Sequence, residues 1–142
     1  LKNSSLGRYE IEVVSYGDGL YNQSVISSLT GLDFEESDEA VKSVKRLHWS
    51  GQTYVEVFRK LGFNTNHRFI KFDPETTYPC IMRCINHKKG VWYLFLYHQG
   101  IIYDIHGNSF HITDTNEVSR LKGSYFLKWY NMKVTSMLQV WI

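Results

Sequence analysis

Two cysteines, two prolines and no long apolar run are what this chain of 142 residues offers where other protein classes are rich. Cys80 and Cys84 stand four residues apart in "PCIMRC". Along one strand they share a face but are too far apart to bond to each other, so no disulfide framework is expected. Buried free thiols fit a reducing compartment, and the expected location is the cytoplasm. With only two prolines there is little room for a disordered linker. No stretch approaches the length of a membrane span, and the opening "LKNSSLG" is polar rather than signal-like, so no membrane partner is expected. The chain opens on Leu1, which points to a piece of a longer protein. A net charge of +2 is too mild to indicate nucleic acid by itself.

Aromatic residues are plentiful at 15%, with ten tyrosines and four tryptophans, a composition that suits a sheet-rich core and also an interface. "RYEIEVV", Arg8 to Val14, alternates as a strand. A helix follows over about Leu20 to Thr30, with Gly31 suited to the position after its end. Asp33 and Glu36 have the spacing of a capping box for a second helix, whose apolar stripe is Phe34, Val41, Val44 and Leu47. Ser50 can cap a third, in which Tyr54, Val57, Phe58 and Leu61 recur at helical spacing before Gly62. The period then changes. "NHRFIKF", "CIMRCIN", "VWYLFLY" and "IIYDIHG" read as strands, with turns at Lys88 to Gly90 and His98 to Gly100. The near-continuous apolar run of "VWYLFLY" predicts a central strand covered on both faces. A brief helix is expected around Asp114 to Leu121, and "KVTSMLQVWI" closes the chain as a strand. Helices first and an antiparallel sheet second make a single α+β domain over residues 1–142.

The stretches "LYNQSVISSLTGLDFEE", "TYVEVFRKLGF", "YPCIMRCINHKKGVWYLFLY" and "GIIYDIHGNSF" follow one another as the parts of the papain-like cysteine peptidases do. Over about Gly17 to Phe110 the chain resembles the small bacteriocin-processing members of that superfamily and their short phage-encoded relatives. The resemblance implies helices packed on an antiparallel sheet. It also implies a nucleophilic cysteine at the start of the first helix, a histidine base on a strand, and an aspartate that orients it. Tyr21 or Asn22 stands at the nucleophile's place and Val91 or Trp92 at the base's, and Asp104 alone fits its counterpart. No glutamine near Tyr16 matches the oxyanion donor. Since a thiolate is the nucleophile in such chemistry, the resemblance implies a catalytically inactive relative, with Asn22, Trp92 and Asp104 as vestigial positions. It further implies a protein-binding factor whose degenerate groove, near Tyr21, Asn22, Trp92 and Asp104, accepts a partner, as in a viral or phage protein acting on a host target.

Other chemistry has weaker warrants. A hydrolase could use Cys84 with one of the histidines, although a mid-strand cysteine lacks the helix terminus that lowers a thiol pKa. Ser24 has no identifiable base partner, and His87 sits in a turn beside Lys88 and Lys89. Asp104, His106 and His111, with His98 across a hairpin, could approach one another, but their spacing matches no zinc motif. No metal and no cofactor are expected. The simpler expectation is that Asp104 supports the turn "HGNS" by accepting from backbone amides. "RLKGSYFLKWYNMK" interleaves Lys122, Lys128 and Lys133 with Tyr125 and Trp129, the combination that single-strand nucleic-acid binders use, and makes nucleic acid the alternative partner.

Overall fold

The computed structural model describes residues 11–46 and 48–142. Arg8, Tyr9 and Glu10 of the first expected strand, and Leu47 of the second helix's stripe, lie outside them. Helices α1 (Tyr21–Thr30), α2 (Phe34–Val44) and α3 (Gly51–Lys60) come first. Gly31, at φ 77°, ends α1 by donating its N–H to Ser27 O at 2.8 Å. Asp33 Oδ1 accepts from Glu36 N at 2.8 Å, and Ser50 with Thr53 forms a reciprocal capping box on α3.

Helix α1 is buried from Gln23 to Thr30 although it carries three serines. Their hydroxyls are satisfied, as burial demands. Ser28 Oγ accepts from Val14 N at 2.8 Å and donates to Val14 O at 3.1 Å. Ser24 Oγ accepts from Tyr16 N, and Ser27 Oγ lies 2.7 Å from Ser37 Oγ. These bonds correct the expected first strand: residues 11–14 pair with no strand, because α1 takes the polar groups that a neighbouring strand would have taken.

Nine strands follow in a curled antiparallel sheet: β1 (Asn64–Thr65), β2 (Ile70–Lys71), β3 (Cys80–Asn86), β4 (Val91–His98), β5 (Ile101–Tyr103), β6 (Ser109–His111), β7 (Val118–Leu121), β8 (Ser124–Leu127) and β9 (Met132–Trp141). The order is β6-β5-β4-β3-β9-β8-β7, with β1 and β2 pairing on β9. The strand expected over "NHRFIKF" shrinks to Ile70–Lys71. Asn66 interrupts it by bonding Gln139 through its side chain, accepting from Gln139 N at 2.7 Å and donating to Gln139 Oε1 at 3.1 Å. The helix expected over Asp114 to Leu121 is also corrected. Asp114 Oδ1 accepts from Asn116 N in a tight turn, and Val118–Leu121 then forms a hairpin with β8. Its two-residue loop, Lys122-Gly123, has φ of 52° and 79°, the left-handed pair that a type I′ turn requires.

The two faces of the sheet bury different cores. On the helix side Ile81, Leu96, Leu138 and Val140 pack with Val25, Ile26, Leu29 and Phe58. On the other side Cys80, Met82 and Cys84 pack with Phe95, Tyr97, Ile102, Leu127 and Met132. Both cysteines are free and buried on this second face. Between β3 and β9 the register shifts: Cys84 pairs with Val134 but Arg83 with Ser136, so Thr135 is an extra residue. Thr135 Oγ1 donates to Arg83 O at 2.9 Å, which pins the bulge in place. No helix among the described residues is long and apolar enough to cross a membrane.

Strand β4 departs from the expected cover on both faces. Val91, Trp92 and Tyr93 are exposed, and burial sets in only from Phe95. The cause is its outer neighbour: β5 pairs with Leu96, Tyr97 and His98 alone, then leaves the sheet at Asp104.

Candidate functional site

The exposed half of β4 forms one wall of a cleft of about 520 Å³. Tyr21 and Asn22, the first residues of α1, form a second wall, and Trp49, Ser50, Gly51 and Tyr54 bring in the start of α3. Phe69 and Arg83 complete the lining.

Local geometry explains why these residues meet. Gly51 opens α3 against the ring of Phe69. A Cβ there would lie 2.8 Å from Phe69 Cδ1, closer than real contacts allow, so any side chain at this position would push the Phe69 ring aside. Tyr54 Oη donates to Asn22 Oδ1, tying α3 to α1, and the ring of Trp49 meets Tyr54 edge-on at 4.9 Å. Tyr21 Oη donates to Leu94 O at 3.0 Å and accepts from Leu94 N at 3.2 Å, so a side chain occupies both polar groups of one strand residue. Burial of that hydroxyl pushes the Tyr21 pKa up to about 12, against the opposing pull of the Leu94 bond. Burial raises Tyr54 well above the ordinary tyrosine value as well.

Arg83 is the one charged residue in the lining. The bulge sets it opposite Ser136, whose Oγ accepts from Arg83 Nε at 3.1 Å. Its guanidinium lies 4.8 Å from the Phe69 ring centroid and 5.0 Å from that of Trp92, so aromatic rings flank the cation. No carboxylate among the described residues pairs with it. The lining holds no thiol, imidazole or carboxylate. Such a set can stack a planar or apolar group and grip an anion. It holds no nucleophile with an adjacent base.

Of the positions singled out in the sequence, the cleft brings together Tyr21, Asn22 and Trp92. Asp104 is buried and does not line it, though its charge contributes to the raised pKa of Tyr21. Its carboxylate holds the β5–β6 turn: Oδ1 accepts from His106 N at 2.9 Å and Asn108 N at 2.7 Å, and Oδ2 from Asn108 Nδ2 at 3.0 Å. That is the supporting role expected of it in "HGNS". His111 Nδ1 lies against Thr113, His106 is exposed and His98 buried. No three metal-binding side chains among the described residues gather at one point. Cys80 and Cys84 have their thiol pKa values raised by burial, the reverse of an activated thiolate.

The basic-aromatic patch is dispersed. Lys122 sits in the β7–β8 turn, and Lys128 Nζ donates to Thr115 O at 2.8 Å. Trp129 packs between Phe95 and Phe110 at 6.2 and 6.0 Å. Tyr125 and Lys133 do meet, with Lys71, in a smaller cleft of about 230 Å³. There Arg120 lies 5.1 Å from the Tyr125 ring centroid and Phe72 meets that ring edge-on, so the ring is occupied within the protein.

Arg83, Phe69, Tyr54 and Gly51 escaped sequence reasoning. A signal existed for Arg83, a lone charge inside the apolar strand "CIMRCI", where burial without a role is costly. Comparison of the chain with protein-family models, with curated proteins and with solved structures gives no match.

Proposed function

We propose that this protein is a non-catalytic binding domain, related to the papain-like peptidases, that engages another protein through the cleft between α1, α3 and β4. The observation that carries the reading is the cleft's make-up: exposed Trp92 beside Tyr21 and Asn22, around an unopposed Arg83, with no thiol, imidazole or carboxylate among the lining residues. Aromatic and arginine side chains in a partly desolvated recess are what protein interfaces use as anchors. The papain-like relationship draws support from the meeting of the start of the first helix with the strand that follows "HKKG". Those are the places where the superfamily keeps its nucleophile and base. The resemblance to short phage-encoded proteins extends the reading to a factor acting on a host protein.

The test is capture of a partner from native lysate, with and without nuclease, by wild type and by a Trp92→Ala variant, whose exposed site leaves the fold's hydrogen bonds in place. A stoichiometric protein that survives nuclease and is lost with the variant supports the reading. Capture that the variant leaves intact removes this cleft as the surface, and loss on nuclease treatment moves the function to nucleic acid.

A further inference from the structure

Strand β4 has an edge that its neighbours leave open. It pairs with β3 along seven residues, from Val91 to Tyr97, but with β5 only at Leu96, Tyr97 and His98. Leu94 turns its N–H and C=O away from β3, since both meet the Tyr21 hydroxyl. In an antiparallel pair this direction alternates, so Trp92, two residues earlier, presents its N–H and C=O on the same outer side. Among the described residues nothing bonds to them. An unpaired strand edge flanked by exposed apolar side chains is a template for another strand. Here the flanking residues are Val91, Trp92 and Tyr93, at 37, 52 and 44% exposure.

Beside this edge stands Arg83. The rings of Phe69 and Trp92 lie 4.8 and 5.0 Å from its Cζ and its Nε is committed to Ser136, while no bond among the described residues takes the terminal N–H groups of the guanidinium plane, which remain for a ligand. That in-plane fork matches the two oxygens of a carboxylate. A cation in an aromatic cleft with no acid in its lining is complementary to an anion.

We propose that the cleft takes an extended, acidic segment of the partner, which adds as a short strand to the β4 edge at Trp92 and places a carboxylate side chain on Arg83. This rests on the protein-binding reading above. A peptide is favoured over a phosphate compound because the edge asks for a backbone acceptor and donor as well as an anion, and a peptide supplies all three. A segment residue beside Trp92 projects its side chain on the face that carries Trp92 and Arg83, since Arg83 pairs with Leu94 on that same face.

The test pans a randomised library of capped peptides of about eight residues, a usual strand length with margins, on the full chain. Asp or Glu is expected to be enriched at one position. Changing that residue to its amide is expected to weaken binding by about tenfold or more, read by tryptophan fluorescence. Arg83→Gln should bind the acid and amide peptides alike, and Arg83→Lys should keep part of the preference. N-methylation of the selected peptide should weaken binding only at alternate residues, those that face the edge. Should Arg83→Gln fail to fold, Trp92→Ala, at an exposed site, is expected to lose the selected peptides.

Peptides that need Trp92 yet show no acid preference, a preference that survives Arg83→Gln, or indifference to N-methylation would each overturn this inference while leaving the protein-binding reading intact. The same holds if no peptide is selected although the captured partner depends on Trp92. A dimer that dissociates on Trp92→Ala would make a second copy of the chain the occupant and overturn the proposal. Nucleotide binding at Trp92 without peptide binding would overturn both readings.

Discussion

Strand β4 holds two stretches of similar composition and opposite fate. Val91, Trp92 and Tyr93 face water, whereas Phe95, Leu96 and Tyr97 are at most 3% exposed. Both stretches pair with β3 in unbroken register. They differ in their outer neighbours. The inner stretch has β5 beside it and a core on each face, and the outer stretch has the Tyr21 hydroxyl and then an open edge. Hydrophobicity makes burial favourable, but the chain's path decides which apolar residues receive it.

Substitutions can break that contrast. Phe95→Ala opens the second core where Phe95 and Trp129 meet and is expected to cost about 3–5 kcal/mol in denaturant unfolding. Asp104→Ala leaves the turn's amides at a buried site without their acceptor. A loss of about 2–3 kcal/mol is expected, with faster hydrogen exchange at His106 and Asn108.

Tyr21→Phe removes the hydroxyl from Leu94, for a loss of about 0.5–1.5 kcal/mol. It also sharpens a pH prediction. Burial raises Tyr21 and Tyr97 from 10.0 to about 12. A raised folded-state value means a stabilising contribution that is complete below pH 10 and lost as pH climbs through 12. Tyrosinate absorbance should therefore show a late-titrating fraction, reduced by one residue in Tyr21→Phe. Trp92→Ala, on the exposed stretch, is expected to change stability by no more than about 1 kcal/mol while removing partner binding. A loss as large as that of Phe95→Ala would erase the distinction between the two stretches.

Local signals carried much of the fold. Gly31, Asp33 and Ser50 mark helix boundaries through backbone chemistry that acts within a few residues, and β3 spans the "CIMRCIN" expected for it. The β7–β8 hairpin was missed because Lys122 is an unusual residue for the first left-handed position, which Asn or Gly more often fills. The exposure of Trp92 could not be read from "VWYLFLY", since it depends on where β5 stops. For the site, Tyr21, Asn22 and Trp92 were placed together by resemblance. Arg83 and Phe69 join them only through a bulge and a loop approach that no local pattern announces.

The bulge at Thr135 also sets a reading frame for β9. Before it, even-numbered residues such as Met132 and Val134 enter the cysteine-side core; after it, Met137 does so, while Leu138 and Val140 turn to the helices. Deleting Thr135 would join Val134 directly to Ser136, which already face consecutive residues of β3, so Leu138 and Val140 would keep their layer and only the bulge, with its bond to Arg83 O, would be lost. A residue lost between Ser136 and Leu138 has no such compensation and would turn Leu138 and Val140 to the wrong layer, so β9 tolerates a change of length at the bulge and nowhere beyond it.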